Sequence, residues 1–194
     1  MIAERTYAVT PHAGGSPMQT SELEISKKLR QVIRPSRYRH TLGVTDTAVL
    51  LAACYGVDTE KARLAGLLHD CGKEAASALE HGAVGAKLAK EVYGVEDEEI
   101  LSAIRWHTTG RPGMSLLEEI IFVADYIEPC RDGRLPANRL QLLRKTAFID
   151  LHRTVVMILD DTFAFLRSRK TTIDKRSVDT YDYYKNLISG KETN

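Results

Sequence analysis

Apolar residues recur along most of this chain at the spacing of an α-helix. In the stretch LAGLLHDCGKE, residues 64–74, Leu64, Leu67, Leu68 and Cys71 fall at i, i+3, i+4 and i+7, on one helical face. The same spacing relates the members of five further stripes: Val44/Ala48/Leu51/Tyr55, Val84/Leu88/Val92, Ile100/Ile104, Leu117/Ile121/Ala124, and Phe148/Leu151/Val155/Ile158/Thr162/Phe165. No segment shows a convincing β alternation. The pattern therefore predicts an all-α bundle of roughly seven to nine helices.

Signals for helix ends divide the chain into a leader and one domain. Residues 1–20 contain two prolines and two glycines without a sustained period, and we expect a flexible leader there. Ser21 with Glu24, and Ser115 with Glu118, form capping-box patterns that predict helix starts. The folded domain is therefore expected to cover residues 21–194.

The composition is that of a globular protein without a strongly charged surface. The 194 residues are enough for one large domain, with 43% hydrophobic and 27% charged residues. A net charge of +1 argues against a general nucleic-acid or membrane surface. No apolar run approaches the length of a membrane span. Three widely spaced cysteines without a CxxC pair favour reduced thiols and a cytoplasmic location.

Histidines and acids occupy inward-facing positions in this helical pattern. His69 and Asp70 follow an apolar helix directly, His40 stands four residues before Val44, and Asp125 stands four after Ile121. His81 and His107 fall at the entry and the end of two other helices. Charged groups placed there are costly unless they are paired or bind a metal.

The residue types in this pattern indicate a metal site. Neutral imidazoles and carboxylates suit iron, manganese, zinc or nickel, and the lack of cysteine ligands argues against a structural zinc site. Each residue alone could instead be a satisfied polar group of the core. His152 also lies on an apolar helix, but no acid accompanies it at a metal-ligand spacing, and we interpret it as a core-edge histidine.

The order of these residues resembles a known superfamily. His40, His69-Asp70 and Asp125 follow the pattern of the HD-domain metal-dependent phosphohydrolases. The segments RYRHTLGV, LLHDCGKE, HGAVGA, WHTTGRP and VADYIEPCR are similar to the YqeK family, whose members hydrolyse diadenosine tetraphosphate symmetrically. The resemblance runs from about residue 21 to about residue 188. The chain departs from the family in its leader and in a short connection between Lys73 and His81.

The resemblance implies a metal-dependent enzyme and a set of ligands. By this resemblance, the main ion would be iron, with manganese or another divalent metal as alternatives. Its ligands would be His40, His69, Asp70 and Asp125. Asp70, His81, His107 and Lys73 would form the catalytic group. His81 and His107 would line the phosphate side, and a second ion bridged by Asp70 is left open.

The resemblance also implies contacts to a nucleotide. Lys73 lies three residues beyond Asp70, and Arg131 lies six beyond Asp125, where its guanidinium fork suits phosphate. The alternative is that both are solvated surface cations. The implied nucleotide-binding set is His40, Asp70, Cys71, Gly72, Lys73, His81, His107, Thr108, Asp125, Arg131, Arg169, Lys170, Thr171, Thr172 and Ile173. For residues 169–173 the alternative is a solvated connection into the last helix.

Function follows from the resemblance with two alternatives. The leading expectation is hydrolysis of diadenosine tetraphosphate to two ADP. The alternatives are an HD phosphohydrolase acting on another nucleotide and a non-catalytic nucleotide-binding regulator. The expected partner is a small-molecule nucleotide, without nucleic acid or membrane. If the chain assembles with itself, the expected assembly is a homodimer.

Overall fold

The computed structural model describes residues 20–131 and 135–191. Within these ranges the regular structure is helical without a strand, which confirms the all-α prediction. The helices are α1 (Thr20–Val32), α2 (Pro35–Tyr55), α3 (Thr59–Leu68), α4 (His81–Glu91), α5 (Glu98–Trp106), α6 (Leu116–Ile127), α7 (Ala137–Ala147), α8 (Leu151–Ser168) and α9 (Lys175–Lys191), with a 3-10 turn at Pro129–Arg131. Of the predicted leader, only Thr20 lies within the described residues, and α1 begins there. None of the described helices combines the length and the apolar character needed to cross a membrane.

Helix α6 lies at the centre of the bundle. Its sequence, LLEEIIFVADYI, buries almost every side chain from Leu117 to Ile127. A helix that is apolar on all sides must be covered on all sides, and α2, α3, α5, α7 and α8 pack against it. The predicted capping box starts this helix: Ser115 accepts a hydrogen bond from the amide of Glu118, whose carboxylate accepts one from the amide of Ser115.

Helices α2 and α3 approach each other closely through a glycine. A Cβ atom on Gly66 would lie 2.9 Å from the Cα atom of Thr45, which leaves no room for a side chain. This approach brings His69, one turn after Gly66, toward His40 on α2, and the two ring centroids lie 5.3 Å apart. Packing of α3 on α2 therefore positions two of the predicted metal ligands.

The predicted apolar face of α4 was wrong. Val92 is exposed and Val84 and Leu88 are half-buried, whereas the buried face consists of small residues. These residues are Gly82, Gly85, Ala86 and Ala89. The reason is close backbone packing, because a Cβ atom on Gly82 would collide with the carbonyl oxygen of Arg105 at the end of α5. Large apolar residues mark a buried face only where neighbouring helices leave room for them.

The predicted stripe of α8 was wrong at both ends. The helix begins at Leu151, so Phe148 lies in the preceding turn, where it is exposed. At the other end Phe165 is exposed and Phe163 is buried. The middle of the stripe, including Val155 and Ile158, is buried as predicted.

Replacing Gly66 by alanine is expected to destabilise the fold. Gly66→Ala should lower the free energy of unfolding by about 1–3 kcal/mol, because the new methyl group forces α3 away from α2. Gly190→Ala is the matched control, since a Cβ atom on this helical glycine has no atom within 4 Å. That variant should be as stable as the parent or gain up to about 1 kcal/mol. Urea denaturation measures both, and equal stabilities of the two variants would contradict the close packing of α2 and α3.

Candidate active site

Six polar side chains from five helices meet at one end of the bundle. They are His40 on α2, His69 and Asp70 directly after α3, His81 at the first position of α4, His107 directly after α5, and Asp125 in the last turn of α6. Four of them are buried, whereas His40 and Asp125 are partly exposed at the wall of a cavity. The structure thus brings together six of the seven residues that the sequence singled out for metal binding and catalysis, and the seventh, Lys73, contacts His81 at 3.0 Å.

The backbone holds two of the imidazoles in a defined tautomer. The Nδ1 atoms of His69 and His107 lie 2.7 Å from the carbonyl oxygens of Gly66 and Ile104, each three residues earlier in the chain. A carbonyl oxygen only accepts, so both Nδ1 atoms donate, and in the neutral ring Nε2 is the nitrogen that keeps a lone pair. The two rings meet edge to face with centroids 5.1 Å apart. Both Nε2 atoms are therefore in the form that binds a metal.

The Nδ1 atom of His40 also donates a hydrogen bond, but to a carboxylate instead of a main-chain carbonyl oxygen. Its Nδ1 atom lies 2.9 Å from Oε1 of the buried Glu128, and its Nε2 atom lies 3.0 Å from Oδ1 of Asp125. Burial acts to lower the pKa of His40, but the hydrogen bonds to Asp125 and Glu128 outweigh it and raise the pKa above its ordinary value. With Nδ1 donating to Glu128, the Nε2 lone pair faces a carboxylate, which requires a proton or a cation between them. His40 and Asp125 thus form a pair suited to hold a cation.

Asp70 lies among cations and imidazoles. Its Oδ2 atom is 2.5 Å from Nη1 of Arg37. Its Oδ1 atom is 3.2 Å from Nε2 of His81, 3.5 Å from Nε2 of His107 and 3.6 Å from Nζ of Lys73. A buried carboxylate stays ionised only when cations lie close to it, and here Arg37 and Lys73 supply the positive charge. Asp70 is therefore a fixed negative charge at the floor of the site.

A second group of donors surrounds the far side of Asp70. The Nε2 atoms of His81 and His107 are 2.9 Å apart, and Nζ of Lys73 is 3.0 Å from Nε2 of His81. The hydroxyl of Thr108 lies 3.0 Å and 3.1 Å from the two Nε2 atoms. The ammonium of Lys73 and the hydroxyl of Thr108, side by side, are suited to hydrogen-bond phosphate oxygens.

The electrostatics around Asp70 favour a neutral ring at His69 next to ionised carboxylates. Burial lowers the pKa of His69 to about 4, which keeps the ring neutral at pH 7. Burial acts to raise the pKa of Asp70, but the neighbouring imidazoles, first among them His69, hold it well below its usual range. Asp125 is likewise held low against burial by the hydrogen bond with His40 and the charge of Arg131. These are the protonation states that a metal ion requires of its ligands.

The cluster fits a metal ion. Two overlapping sets, His40/His69/Asp125 and His69/Asp70/His107, each offer donor atoms within 4.8 Å of one another. Within the described residues, Nε2 of His69 and Oδ1 of Asp70 are buried without a hydrogen-bond partner. Such an atom costs about 1–3 kcal/mol unless something binds it. Imidazole nitrogen with carboxylate oxygen is a donor set for first-row transition metals.

A cavity of about 480 Å³ opens beside the cluster, which is a size suited to small-molecule ligands. Its wall contains three acids, Asp70, Glu74 and Asp125, together with four cations, Arg34, Arg37, Lys73 and Arg131. Asp70 and Asp125 belong to the metal-binding cluster, and Glu74 pairs with Arg34 at 3.4 Å. The other three cations therefore remain as the charge complement of an anionic ligand.

Arg131 and Lys73 are anchored in this wall. Arg131 donates from Nη2 to Oδ1 of Asp125 at 2.6 Å and from Nε to the carbonyl oxygen of Asp125 at 2.8 Å. Lys73 contacts His81 as described above. The alternative that both are solvated surface cations is therefore wrong, while their contact with a phosphate stays a prediction.

Cys71 and Gly72 pack away from the cavity. The thiol of Cys71 donates to the carbonyl oxygen of Gly85 on α4 at 3.3 Å, and burial raises its pKa to about 12. A Cβ atom on Gly72 would lie 2.5 Å from the amide nitrogen of Gly85. Any contact of these two residues with a nucleotide would therefore involve the main chain, and it stays a prediction.

The predicted tail contacts lie in the loop between α8 and α9. The side chains at 169–172 are exposed, the guanidinium of Arg169 lies over the ring of Phe165 at 5.4 Å from its centroid, and Ile173 packs against the core. None of these residues belongs to the described lining of the cavity. A role of Arg169, Lys170, Thr171, Thr172 and Ile173 in nucleotide binding stays a prediction.

The sequence prediction missed two residues of the site. Arg37 contacts Asp70 and lines the cavity, and its signal was its place three residues before His40, on the same face of α2. Glu128 contacts His40, and its signal was its presence in the segment VADYIEP. Both were overlooked because their partners lie far along the chain.

His152 lies at the edge of the core, as predicted, but an acid accompanies it. Its Nε2 atom is 3.3 Å from Oε1 of Glu119 on α6, and its ring packs against Tyr184. The acid comes from another helix, so the sequence around His152 could not indicate it. With one histidine and one acid, this place does not repeat the donor set of the main cluster.

Known proteins share this fold. The HD domain family model matches residues 37–130, the segment that carries all six residues of the cluster. A solved HD superfamily hydrolase from Clostridium acetobutylicum is 38% identical, with a TM-score of 0.76 over 86% of this chain and 97% of that chain. The fold and the site thus define an HD-domain protein.

Curated relatives narrow this class. A symmetrical bis(5'-nucleosyl)-tetraphosphatase from Halalkalibacterium halodurans is 39% identical over 80% of this chain and 94% of the relative. The enzyme of the same name from Bacillus subtilis is 37% identical over 84% and 95%. The chain belongs to this YqeK-type family of symmetrical bis(5'-nucleosyl)-tetraphosphatases, which confirms the resemblance seen in the sequence.

Removing the Asp70 carboxylate is expected to remove the metal. Asp70→Ala deletes the buried charge that balances the surrounding imidazoles, so most of the bound metal should be lost after dialysis, and turnover should be abolished. Asp161→Ala is the control. It deletes a partly buried carboxylate on α8 that pairs with Arg139 on α7 at 2.9 Å. That variant should keep its metal. Elemental analysis measures both, and full metal content in Asp70→Ala would contradict the site.

Proposed function

We propose that the protein hydrolyses diadenosine tetraphosphate symmetrically to two molecules of ADP, using a metal ion held by His40, His69, Asp70 and Asp125. The observation that carries the proposal is the convergence of lone-pair Nε2 atoms and carboxylates at the floor of a cavity lined by cations. The relatives named above carry this activity in their names.

The ion we propose is iron, with manganese or another divalent metal as the alternative. When bound, it polarises a phosphoryl oxygen and lowers the pKa of water at the site. Two carboxylates offset part of its charge, and the imidazoles complete a mixed nitrogen and oxygen donor set. On the side where His81 and His107 lie near Asp70, the three side chains could act together as ligands of a second ion.

The cations of the cavity wall bind the polyphosphate. Charge develops on the phosphoryl oxygens in the transition state, so catalysis depends on fixed donors aimed at them. Arg131 is fixed by Asp125 and Arg37 by Asp70, so both guanidinium groups are positioned before substrate arrives. Each can present its remaining N–H groups to a phosphate.

Lys73, His81 and His107 act on the leaving side. Their nitrogen atoms surround Oδ1 of Asp70 within 3.6 Å. Attack of water on one phosphorus forms a new P–O bond, breaks the bridging P–O bond and releases one proton to solvent. The departing ADP carries the resulting charge on its terminal phosphate. The ammonium of Lys73 neutralises this charge, and Asp70 keeps Lys73 and the two imidazoles in place.

The reach of the cavity sets the position of the cut. If one adenosine binds beyond the lining of the cavity, toward the loop at 169–173, its two nearest phosphates pass the cations Arg131 and Lys73. The third phosphate then lies beyond the bond that is broken, so that ADP is released on both sides. Cleavage is symmetrical because of this distance, although the site itself has no two-fold axis.

We also propose that the protein acts in the cytoplasm. Its three cysteines form no disulfide in the part of the chain that the structure describes, and its proposed substrate is a small nucleotide. A homodimer stays a prediction of the family resemblance.

Product analysis tests the proposed function. With added metal, diadenosine tetraphosphate should yield ADP alone, because the bond that is broken joins the second and third phosphates. Chromatography of the products measures this, with Asp70→Ala as the inactive control. Equal amounts of AMP and ATP would overturn the proposed cut, and faster hydrolysis of a deoxynucleoside triphosphate or a guanosine polyphosphate would favour the other HD phosphohydrolases.

Arg131→Lys is expected to weaken transition-state binding. The variant keeps the charge beside Asp125 but loses the guanidinium fork. We therefore expect kcat/KM to fall roughly 30-fold, which corresponds to about 2 kcal/mol of lost transition-state stabilisation. Arg139→Lys is the matched control, because Arg139 makes a similar pair with Asp161 between α7 and α8. Initial rates at subsaturating substrate measure both. Unchanged rates in Arg131→Lys would show that this guanidinium does not contact phosphate.

A further inference from the structure

Glu128 is a buried carboxylate whose place is fixed on several sides. It lies directly after α6, and its side chain is 1% exposed. Its Oε1 atom lies 2.9 Å from Nδ1 of His40, and its Oε2 atom accepts from the amide nitrogen of Cys130 at 2.5 Å. Arg144 donates to the carbonyl oxygens of Ile127 and Glu128 at 2.8 Å and 2.9 Å, which fixes the backbone at this point.

The packing around this carboxylate depends on a glycine. A Cβ atom on Gly43, one turn after His40 in α2, would collide with Oε2 of Glu128. Glycine at this position lets α2 and the end of α6 approach until the carboxylate reaches the imidazole. The segments RYRHTLGV and VADYIEP therefore meet through Gly43 and Glu128.

His40 differs in this respect from the other two oriented histidines. His69 and His107 donate from Nδ1 to main-chain carbonyl oxygens of their own helices, which no side-chain substitution removes. His40 donates instead to a side chain that lies 88 residues further along the chain. The tautomer of His40 is therefore the one among these three that depends on the identity of a second side chain.

We propose that Glu128 is a positioning residue that keeps Nε2 of His40 free of hydrogen and aimed at the metal site. Its two oxygens accept from two donors at once, the Nδ1–H of His40 and the N–H of Cys130. The inference rests on the metal site of the proposed function, but it concerns metal affinity and needs no substrate. Ligand imidazoles are commonly oriented in this way by an acceptor on their other nitrogen.

A glutamine at this position makes the sharpest test. Its side chain offers one acceptor oxygen and one NH2 donor to the same two partners. The amide of Cys130 can only donate, so it takes the oxygen and leaves the NH2 group facing His40. His40 then accepts at Nδ1 and carries its hydrogen on Nε2, where a metal ligand needs a lone pair.

Competition between the protein and a chelator for Mn²⁺ measures the effect. In Glu128→Gln the affinity for Mn²⁺ should fall about 10- to 100-fold, while urea denaturation of the metal-free protein shows whether the fold is retained. Glu118→Gln is the control, since Glu118 is equally buried at the other end of α6, where it contacts Ser102, Ser115 and Arg111. That variant should bind Mn²⁺ like the parent.

A second variant reaches the same contact without changing the carboxylate. In Gly43→Ala the new methyl group pushes the Glu128 carboxylate away from His40, so this variant should also bind Mn²⁺ more weakly. Gly190→Ala is the control, because it makes the same change in a helix far along the chain from His40 and should bind Mn²⁺ like the parent. If Glu128→Gln does not fold, this variant decides. Parental affinity in a folded Glu128→Gln or, failing that, in Gly43→Ala would overturn the inference, as would an equal loss of affinity in Glu118→Gln. Loss of metal-free stability with unchanged affinity would make Glu128 merely structural. Absence of hydrolysis with normal Mn²⁺ binding would instead count against the proposed function alone.

Discussion

The buried negative charge of Asp70 is the interaction on which the rest of the site depends. A carboxylate at this depth is tolerated because two imidazoles, a guanidinium and an ammonium lie within 3.6 Å of its oxygens. Those groups come from α2, from the start of α4, from the end of α5 and from the turn after α3. The arrangement of four segments at this end of the bundle therefore follows from the need to balance one charge.

The helices and the cluster of candidate metal ligands could be predicted from the sequence because both rest on local signals. Apolar spacing indicates a helix, and His40, His69 and Asp125 were recognisable as polar residues on otherwise apolar faces. Residues such as Arg37 and Glu128 were missed because their roles depend on partners in other helices. The buried face of α4 was misjudged because glycine and alanine carry little hydrophobic signal, although close backbone packing requires them. Residues 169–173 could not be assigned because an exposed loop has no periodicity to interpret.

The ligands also connect distant parts of the fold. His40 and Asp125 belong to α2 and α6, and His69 follows α3 directly, so an ion that binds all three joins segments separated by long stretches of chain. Such an ion binds the folded state in preference to the unfolded state and stabilises it by mass action. Metal occupancy and folding of this end of the bundle are thus expected to be coupled.

The hydrogen bonds from His69 and His107 to main-chain carbonyl oxygens have a consequence for how this site tolerates mutation. Every residue type supplies a carbonyl oxygen, so the acceptors at positions 66 and 104 persist through any substitution that leaves the helix intact. Side chains around these two histidines can then change during evolution or in a designed library without releasing the rings. The orientation of two of the imidazoles is inherited together with the backbone, independently of the amino acids that surround them.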